Sequence, residues 1–544
     1  MILDSGPAGP GAAGAAGAGA AGVLARMLDV QAARGESRET YRQGPLLAGT
    51  QRLRIVDRDR AVQPWTSADG RQVLCYNGEL FNYRDLRAEL AALGQPMRGG
   101  GDTEVVLAAF AQWGERAVTR FRGEFALAIA EPAAGRVYLA RDGVGVKPLY
   151  WARAGGRLHV ASEVKALTGL GASIGAVPPG HHGWAGAQDG PVLRPYLDLM
   201  ALGGSAGPVT DPAEAAKLVR AAFEDSVRVR VDTDLPVGVI LSGGLDSSLT
   251  LLHVRDMHPD CVAFTVGAPG SEDLVYAGRL CADLCVPHEV IEVAPGQIGL
   301  PAIRRAIAMS ELTEYGDIIN AVVSVPLFRR IHEAGIKVVL TGDGSDELFG
   351  GYPMYHRASP DQARRLFLHK IANLSRTELQ RVDRTSMGHS VEARVPFLDL
   401  ALVELAMRLP MDLKVRDGQE KWILREAFAD VLPDYIRERP KNPMSHSSGL
   451  HERARLYKPL FPRLHRAQGY DQCAPVRRDF SPVLEACGND LDEAIAMAAA
   501  RPDYSAAERL RDLAGAARWN AVALGRRWAR TLGQARDGSD RAAS

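Results

Sequence analysis

Ser242-Gly243-Gly244-Leu245-Asp246-Ser247-Ser248 gathers in one short string what an anion site needs. Glycines let backbone N–H groups close on an anion, serine hydroxyls add donors, and a helix starting here adds the positive end of its dipole. A carboxylate in such a nest makes sense if it holds a cation, so Asp246 reads as a Mg²⁺ ligand. A Walker loop needs a Lys before the Ser, and there is none. Gly-rich turns alone are often only tight turns. The whole string, set between a buried strand and a helix, points to an anion site with a cation beside it.

The elements that must position this loop are readable around it. Leu235–Leu241 is a short apolar strand, and a helix is expected from about Ser247. Val262–Val266, His288–Val293 and Lys337–Leu340 repeat the strand signal with helical segments between, which predicts a parallel sheet covered by helices. Upstream, Asp211-Pro212-Ala213-Glu214 has an N-cap Asp, Pro at the first helical position and a capping-box Glu. Its stripe includes Leu218, Ala222, Phe223 and Val227.

From about 23 to 197 the pattern changes to short alternating strands, among them Gln72–Tyr76, Phe125–Ala130 and Arg136–Ala140. Ala201–Pro208 is Gly-rich and reads as a linker. Residues 5–22 are nearly all Gly, Ala and Pro, a composition that buries little. The expected organisation is a disordered stretch over 1–22, one domain over 23–197, a linker over 198–210, a second domain over 211–530 and a tail over 531–544. Scattered arginines near the end, including Arg526, Arg527 and Arg530, read as a solvated helical face.

A chain of 544 residues exceeds one core. Lys plus Arg and Asp plus Glu are equal at 65 each, which speaks against a dedicated nucleic-acid binder. No apolar run approaches the roughly 20 residues of a membrane span, and the start lacks the basic residues of a secretion signal. A cytoplasmic enzyme is the expectation. The six cysteines (Cys75, Cys261, Cys281, Cys285, Cys473, Cys487) form no metal-binding spacing. Cys281 and Cys285 could share one helix face; buried structural thiols are the plainer reading.

The Ser242–Ser248 string resembles the pyrophosphate loop of the ATP-pyrophosphatase superfamily. Thr341-Gly342-Asp343-Gly344-Ser345-Asp346-Glu347-Leu348-Phe349-Gly350-Gly351-Tyr352 and Ser390-Val391-Glu392-Ala393-Arg394-Val395-Pro396-Phe397-Leu398-Asp399 sharpen this to a resemblance to asparagine synthetases, covering about residues 23–450. The resemblance implies a small-molecule carboxylate, aspartate among the candidates, activated by ATP as an acyl-adenylate and then amidated with release of AMP. It implies Asp246 and Asp346 as Mg²⁺ ligands, the Ser242–Ser248 loop on pyrophosphate, and Leu241, Val266, Thr341 and Gly342 around the nucleotide. Asp343 takes the place of a catalytic acid and Glu378 that of its partner, a pair able to take a proton from the attacking amine. Lys441 matches a lysine that stabilises phosphate charge, a match supported by its spacing after Lys421-Trp422-Ile423-Leu424-Arg425.

Segments of the first half resemble the glutaminase domain of the same family. Arg52-Leu53-Arg54-Ile55-Val56-Asp57, Asn77-Gly78-Glu79 and Asp102 match its glutamine pocket. Ala140-Arg141-Asp142, Lys147-Pro148-Leu149-Tyr150 and Ala161–Leu167 continue the match. The implied fold is an N-terminal-nucleophile αββα sandwich, followed by the α/β domain. The family begins Met-Cys-Gly, with that Cys as nucleophile and its own amine as base. Here residue 2 is Ile2, Gly/Ala-rich sequence stands where the first strand belongs, and the first cysteine, Cys75, lies far along the chain. The pocket is therefore expected to be vestigial, with free ammonia or a separate glutaminase as the nitrogen source. A homodimer is compatible with the sequence. Two other readings stay open: the same adenylation with another amine, as in beta-lactam synthetases and lasso-peptide cyclases, and a non-catalytic binding protein. The segment Glu311–Asp317 departs from the family pattern where an acceptor could lie, and the complete Asp246, Asp346, Asp343 and Lys441 set argues against decay.

Overall fold

The computed structural model describes residues 1–4, 13–204, 206–313, 315–440 and 456–470. Twelve strands build the first half: β1 (Ile2–Asp4), β2 (Ser37–Gln43), β3 (Leu46–Arg52), β4 (Trp65–Thr66), β5 (Val73–Leu80), β6 (Gly123–Glu131), β7 (Arg136–Arg141), β8 (Tyr150–Ala154), β9 (Arg157–Ala161), β10 (Ile174–Ala176), β11 (His181–Gly186) and β12 (Gly190–Pro195). They form two six-stranded sheets, ordered β10-β8-β9-β1-β3-β2 and β12-β11-β7-β6-β5-β4. Strand alternation sends Leu3, Leu46, Val73, Ala126, Ala128, Leu139 and Leu158 into the layer between the sheets. Helix α1 (Ala13–Asp29) packs Leu24, Met27 and Leu28 in the same cluster as Ile2, outside the first sheet. Helices α2 (Tyr83–Ala92) and α3 (Asp102–Trp113) cover the other sheet through Leu86, Leu90, Val105 and Phe110. This is the expected αββα sandwich.

One expectation is corrected. The first 22 residues are not uniformly unstructured: Ile2–Asp4 lies between β9 and β3, paired antiparallel to both, and α1 begins at Ala13. Two consecutive apolar residues suffice for a buried strand when both neighbours offer a ladder, whatever the composition that follows.

The second half starts with α4 (Pro212–Arg230), where the Asp211 side chain accepts from the Glu214 backbone N–H at 2.8 Å, as its sequence predicts. Its sheet is wholly parallel, ordered β15-β14-β13-β16-β17. The strands are β13 (Val237–Ile240), β14 (Val262–Gly267), β15 (His288–Glu292), β16 (Val338–Leu340) and β17 (Glu392–Arg394). Between and after them run α5 (Leu245–Met257), α6 (Glu272–Leu284), α7 (Leu300–Ser310), α8 (Tyr315–Glu333), α9 (Ser345–Phe349), α10 (Pro360–Asn373), α11 (Glu378–Met387), α12 (Leu400–Arg408), α13 (Met411–Lys414) and α14 (Trp422–Ala427). The order reverses between β13 and β16, and ligands of such sheets sit at the carboxyl ends of the strands beside that reversal. Among the described residues no helix is long and apolar enough to cross a membrane. Cys281 is buried in α6 while Cys285 caps it, exposed, so the two thiols do not share a face; Cys261 is buried. Cys473, Cys487, Lys441, the tail arginines and the segment 531–544 lie outside the described residues.

The halves meet through buried charges. Arg34 bonds Glu163 at 2.8 Å within the first half and Asp383 of α11 at 3.0 Å across the boundary. Arg384, fully buried, bonds Asp383 at 2.7 Å and Glu311 at 2.8 Å, and Glu311 also accepts from the Lys165 backbone N–H at 2.8 Å. Burial opposes the charge on Asp383, but Arg34 and Arg384 outweigh it and hold the carboxyl well below the usual range.

Candidate active sites

The loop after β13 and the loop after β16 touch at the reversal point. Ser345, opening α9, donates its hydroxyl to Asp246 Oδ1 at 2.6 Å. A Cβ on Gly342 would stand 2.8 Å from Asp246 Cβ and 3.0 Å from the Ser247 nitrogen, so only glycine lets the loops close. Within the first loop, Ser247 Oγ accepts from the Ser242 N–H at 3.1 Å, and Ser242 Oγ accepts from the Gly244 N–H at 3.3 Å. Ser248 Oγ is buried with no hydrogen-bond partner, and a buried hydroxyl left open in an anion loop suits an oxyanion. Leu241, Val266, Thr341 and Gly342 lie at the carboxyl ends of β13, β14 and β16; the first three are buried, and Thr341 N–H donates to the Arg394 carbonyl at 3.1 Å.

Two proposed metal ligands are brought together. Lys421 Nζ pairs with Asp246 Oδ2 and with Asp346 Oδ1, the latter at 2.5 Å. Two carboxylates converging on one cation position fit Mg²⁺, which takes one or two carboxylates from protein and the remainder from phosphate and water. Among the described residues no group of three or more His, Cys, Asp or Glu side chains could hold a metal alone. Beside this cation position lies a cavity of about 40 Å³, lined by Ser242, Gly244, Lys421, Arg425 and Arg439 among others. Arg439 donates to the Ser242 carbonyl and to Asp273 Oδ1, each at 2.9 Å. Sequence reading missed Lys421, Arg425 and Arg439 as site residues. They come from the stretch after α13, and nothing in their spacing says they fold back onto β13.

Asp343 and Glu378 do not meet as a bare carboxylate pair. Arg381 stands with them: its guanidinium is 2.5 Å from Asp343 Oδ1, and the charges of Asp343 and Glu378 overcome burial to raise its pKa. Glu378 accepts from the Thr377 hydroxyl. Nearby Glu347 is pushed up to about 8 by burial, with the charges of Glu378 and Asp346 adding to it, and it accepts from the Tyr352 hydroxyl.

In the first half, a cavity of about 160 Å³ opens between the sheets. Arg52, Asn77, Gly78, Glu79 and Asp102 all line it, joined by Met387 and Glu392 of the second half. Asp102 Oδ2 accepts from the Tyr76 hydroxyl at 2.9 Å and the Leu80 N–H at 3.1 Å, and burial lifts its pKa to about 6. Burial and Asp102 push Glu79 well above the carboxylate range; Arg394 sits 3.3 Å from it. Asn77 Nδ2 is buried with no protein acceptor. Arg52 donates to the carbonyls of Arg58, Val56 and Asp57 at 3.0–3.3 Å. Cys75, distant along the chain, lines this same cavity as Met1, whose ammonium donates to the Val160 carbonyl at 2.9 Å. Burial raises the Cys75 thiol and lowers the Met1 ammonium.

Residues 10–176 match the family model of a glutamine amidotransferase domain, and residues 218–366 and 358–480 match that of asparagine synthase. The chain is 36% identical to asparagine synthetase B (glutamine-hydrolyzing) of Escherichia coli (strain K12) over 424 residues, which is 73% of this chain and 74% of that protein. It is 34% identical to asparagine synthetase (glutamine-hydrolyzing) of Brassica oleracea over 433 residues, 75% of this chain and 72% of that one. To asparagine synthetase (glutamine-hydrolyzing) 3 of Arabidopsis thaliana it is 34% identical, over 73% of this chain and 71% of that one.

Proposed function

The chain belongs to the asparagine synthetase family, and from that premise we propose that it is an AMP-forming ligase that amidates a carboxylate, aspartate first among candidates, with ammonia. The observation that carries this reading is the junction of the two loops, where Ser345 bonds Asp246 and Lys421 draws Asp246 and Asp346 onto one cation position. The substrate carboxylate attacks the α-phosphate of ATP, and the bond to the β-phosphate breaks. Backbone amides of the Ser242–Ser248 loop and the open Ser248 hydroxyl receive the leaving pyrophosphate. Arg439, buried against Asp273, fixes the loop by its bond to Ser242. Asp246 and Asp346 would hold Mg²⁺, which supplies charge neutralisation on the phosphates. Ammonia then attacks the acyl carbon, and the bond from that carbon to the phosphate oxygen of AMP breaks, so that AMP leaves. Glu378 takes the proton from the ammonia, while Arg381 keeps Asp343 in place beside it. Lys441, outside the described residues, stays assigned to the phosphate charge.

The first-half cavity is lined by Arg52, Asn77, Glu79 and Asp102, the groups assigned to an amino-acid ligand. Among the described residues Cys75 is the only thiol lining the cavity, and burial keeps it protonated. We propose that glutamine binds and is not cleaved. With ATP, Mg²⁺, aspartate and ammonium, the products are AMP, pyrophosphate and the amide. With glutamine as sole nitrogen source, glutamate does not appear. ADP and phosphate as products would overturn the first statement, and glutaminase turnover the second.

Glutamine binding carries its own pH signature. Asp102 must be ionised to pair with an α-ammonium, and its carboxyl titrates at about 6, above the ordinary range. Affinity measured by calorimetry is therefore full above neutrality and drops as pH falls through about 6, by about tenfold between pH 7 and pH 5. Asp102→Asn binds weakly at both. A flat profile in the unsubstituted chain removes Asp102 from the pocket's recognition of the ammonium.

A further inference from the structure

A side-chain cation sits between the two carboxylates assigned to the metal. Lys421 reaches Asp246 and Asp346, which belong to separate loops, with a side chain only 3% exposed. Its backbone is held at φ +55°, in the left-handed region that a full side chain seldom adopts, immediately before α14. Room for it is made by Gly351, where a Cβ would collide with both Lys421 Cε and Asp346 Oδ1. The same lysine borders the cavity beside the Ser242–Ser248 loop, so phosphate oxygens placed there lie within a short swing of the ammonium.

We propose that Lys421 is the built-in counter-cation of Asp246 and Asp346: it holds the place between them until a divalent cation arrives together with the triphosphate, to which the ammonium then turns. This rests on the reading of the junction as a nucleotide site. The physical reason is competition. An ammonium on a short tether faces the two carboxylates at a high effective concentration, so a divalent ion alone must displace a charge that has nowhere else to go. A triphosphate provides that destination, and the exchange then leaves every charge paired. Metal and nucleotide consequently enter as one, and a metal ion without nucleotide is held weakly.

The test uses Mn²⁺ as the probe, its binding to the full chain followed by electron paramagnetic resonance without nucleotide. The unsubstituted protein binds Mn²⁺ weakly. Lys421→Met, which frees the carboxylates, binds it at least tenfold more tightly. Adding Asp346→Asn to that variant removes the gain, and Lys421→Arg, which keeps the charge, stays weak. Lys421→Gln serves in the same role should the Met variant fold poorly. ATP binding with Mg²⁺ is measured alongside by calorimetry. If the unsubstituted chain binds Mn²⁺ alone as tightly as Lys421→Met while still binding Mg²⁺–ATP, the counter-cation role is wrong and the nucleotide site stands. If Mg²⁺–ATP does not bind at all, the reading of the site falls and takes this proposal with it.

Discussion

Asp246→Asn is expected to lower carboxylate-dependent exchange of labelled pyrophosphate into ATP by at least about 10²–10³-fold, the loss seen when one electrostatic partner of a transition state is removed. The substitution keeps size and shape and deletes only charge. Three groups depend on that charge: the Ser345 hydroxyl at 2.6 Å, the Lys421 ammonium, and the divalent cation assigned here. An amide can still accept from Ser345, so the junction of the two loops persists and the fold is not the casualty. What disappears is half of the negative field that gathers metal and polyphosphate at the carboxyl end of β13. Asp256→Asn, farther along the same helix α5, changes the same helix charge without touching the loop and should leave exchange intact. Exchange that survives Asp246→Asn within tenfold would move the phosphate site away from this loop.

Glu378→Gln should behave differently, retaining pyrophosphate exchange while amide formation falls by about 10²-fold or more. Its carboxylate is assigned to the proton that ammonia loses, a step that exists only after the adenylate has formed. A second readout is independent of the rate. Glu347 is held up to about 8 by burial, and next by the charge of Glu378. The folded chain keeps that proton in a range where an unfolded glutamate, at 4.5, has released it, so its contribution to stability declines as pH rises from about 4.5 toward 8. Removing the Glu378 charge lowers the Glu347 pKa and moves the upper end of that window to lower pH. Equal loss of exchange and amide formation would mean that Glu378 serves adenylation too, and the separation of the two steps would fail.

Much of the scaffold could be read from sequence because it rests on local rules. The Asp211 cap, the apolar strands before each Gly-rich loop, and the alternation through residues 73–141 all depend on neighbours a few positions away. The two Gly-rich loops that meet through Ser345 and Asp246 stood out because their distinctive residues are packed into consecutive positions. What escaped depends on distant chain segments. β1 was hidden behind Gly/Ala sequence and is explained only by the two strands that flank it. Lys421 and Arg381 act through carboxylates about 175 and 38 positions away, and no periodicity signals such a partnership. Cys75 and Met1 share a cavity because two sheets stack, which strand patterns alone do not reveal.

The buried arginines between the halves bear on modularity. A gene can in principle exchange one half for that of a relative, since each has its own sheet and helices. Here, however, Arg34 is divided between Glu163 on its own side and Asp383 on the other, and Arg384 between Asp383 and a Glu311 that also receives a backbone N–H from Lys165. A transplanted half lacking its counterparts would bury unmatched charge, at about 3–5 kcal/mol for each pair broken. Recombination between relatives is thus confined to donors that carry both sides of the charge pattern, and the two halves are inherited as a matched set.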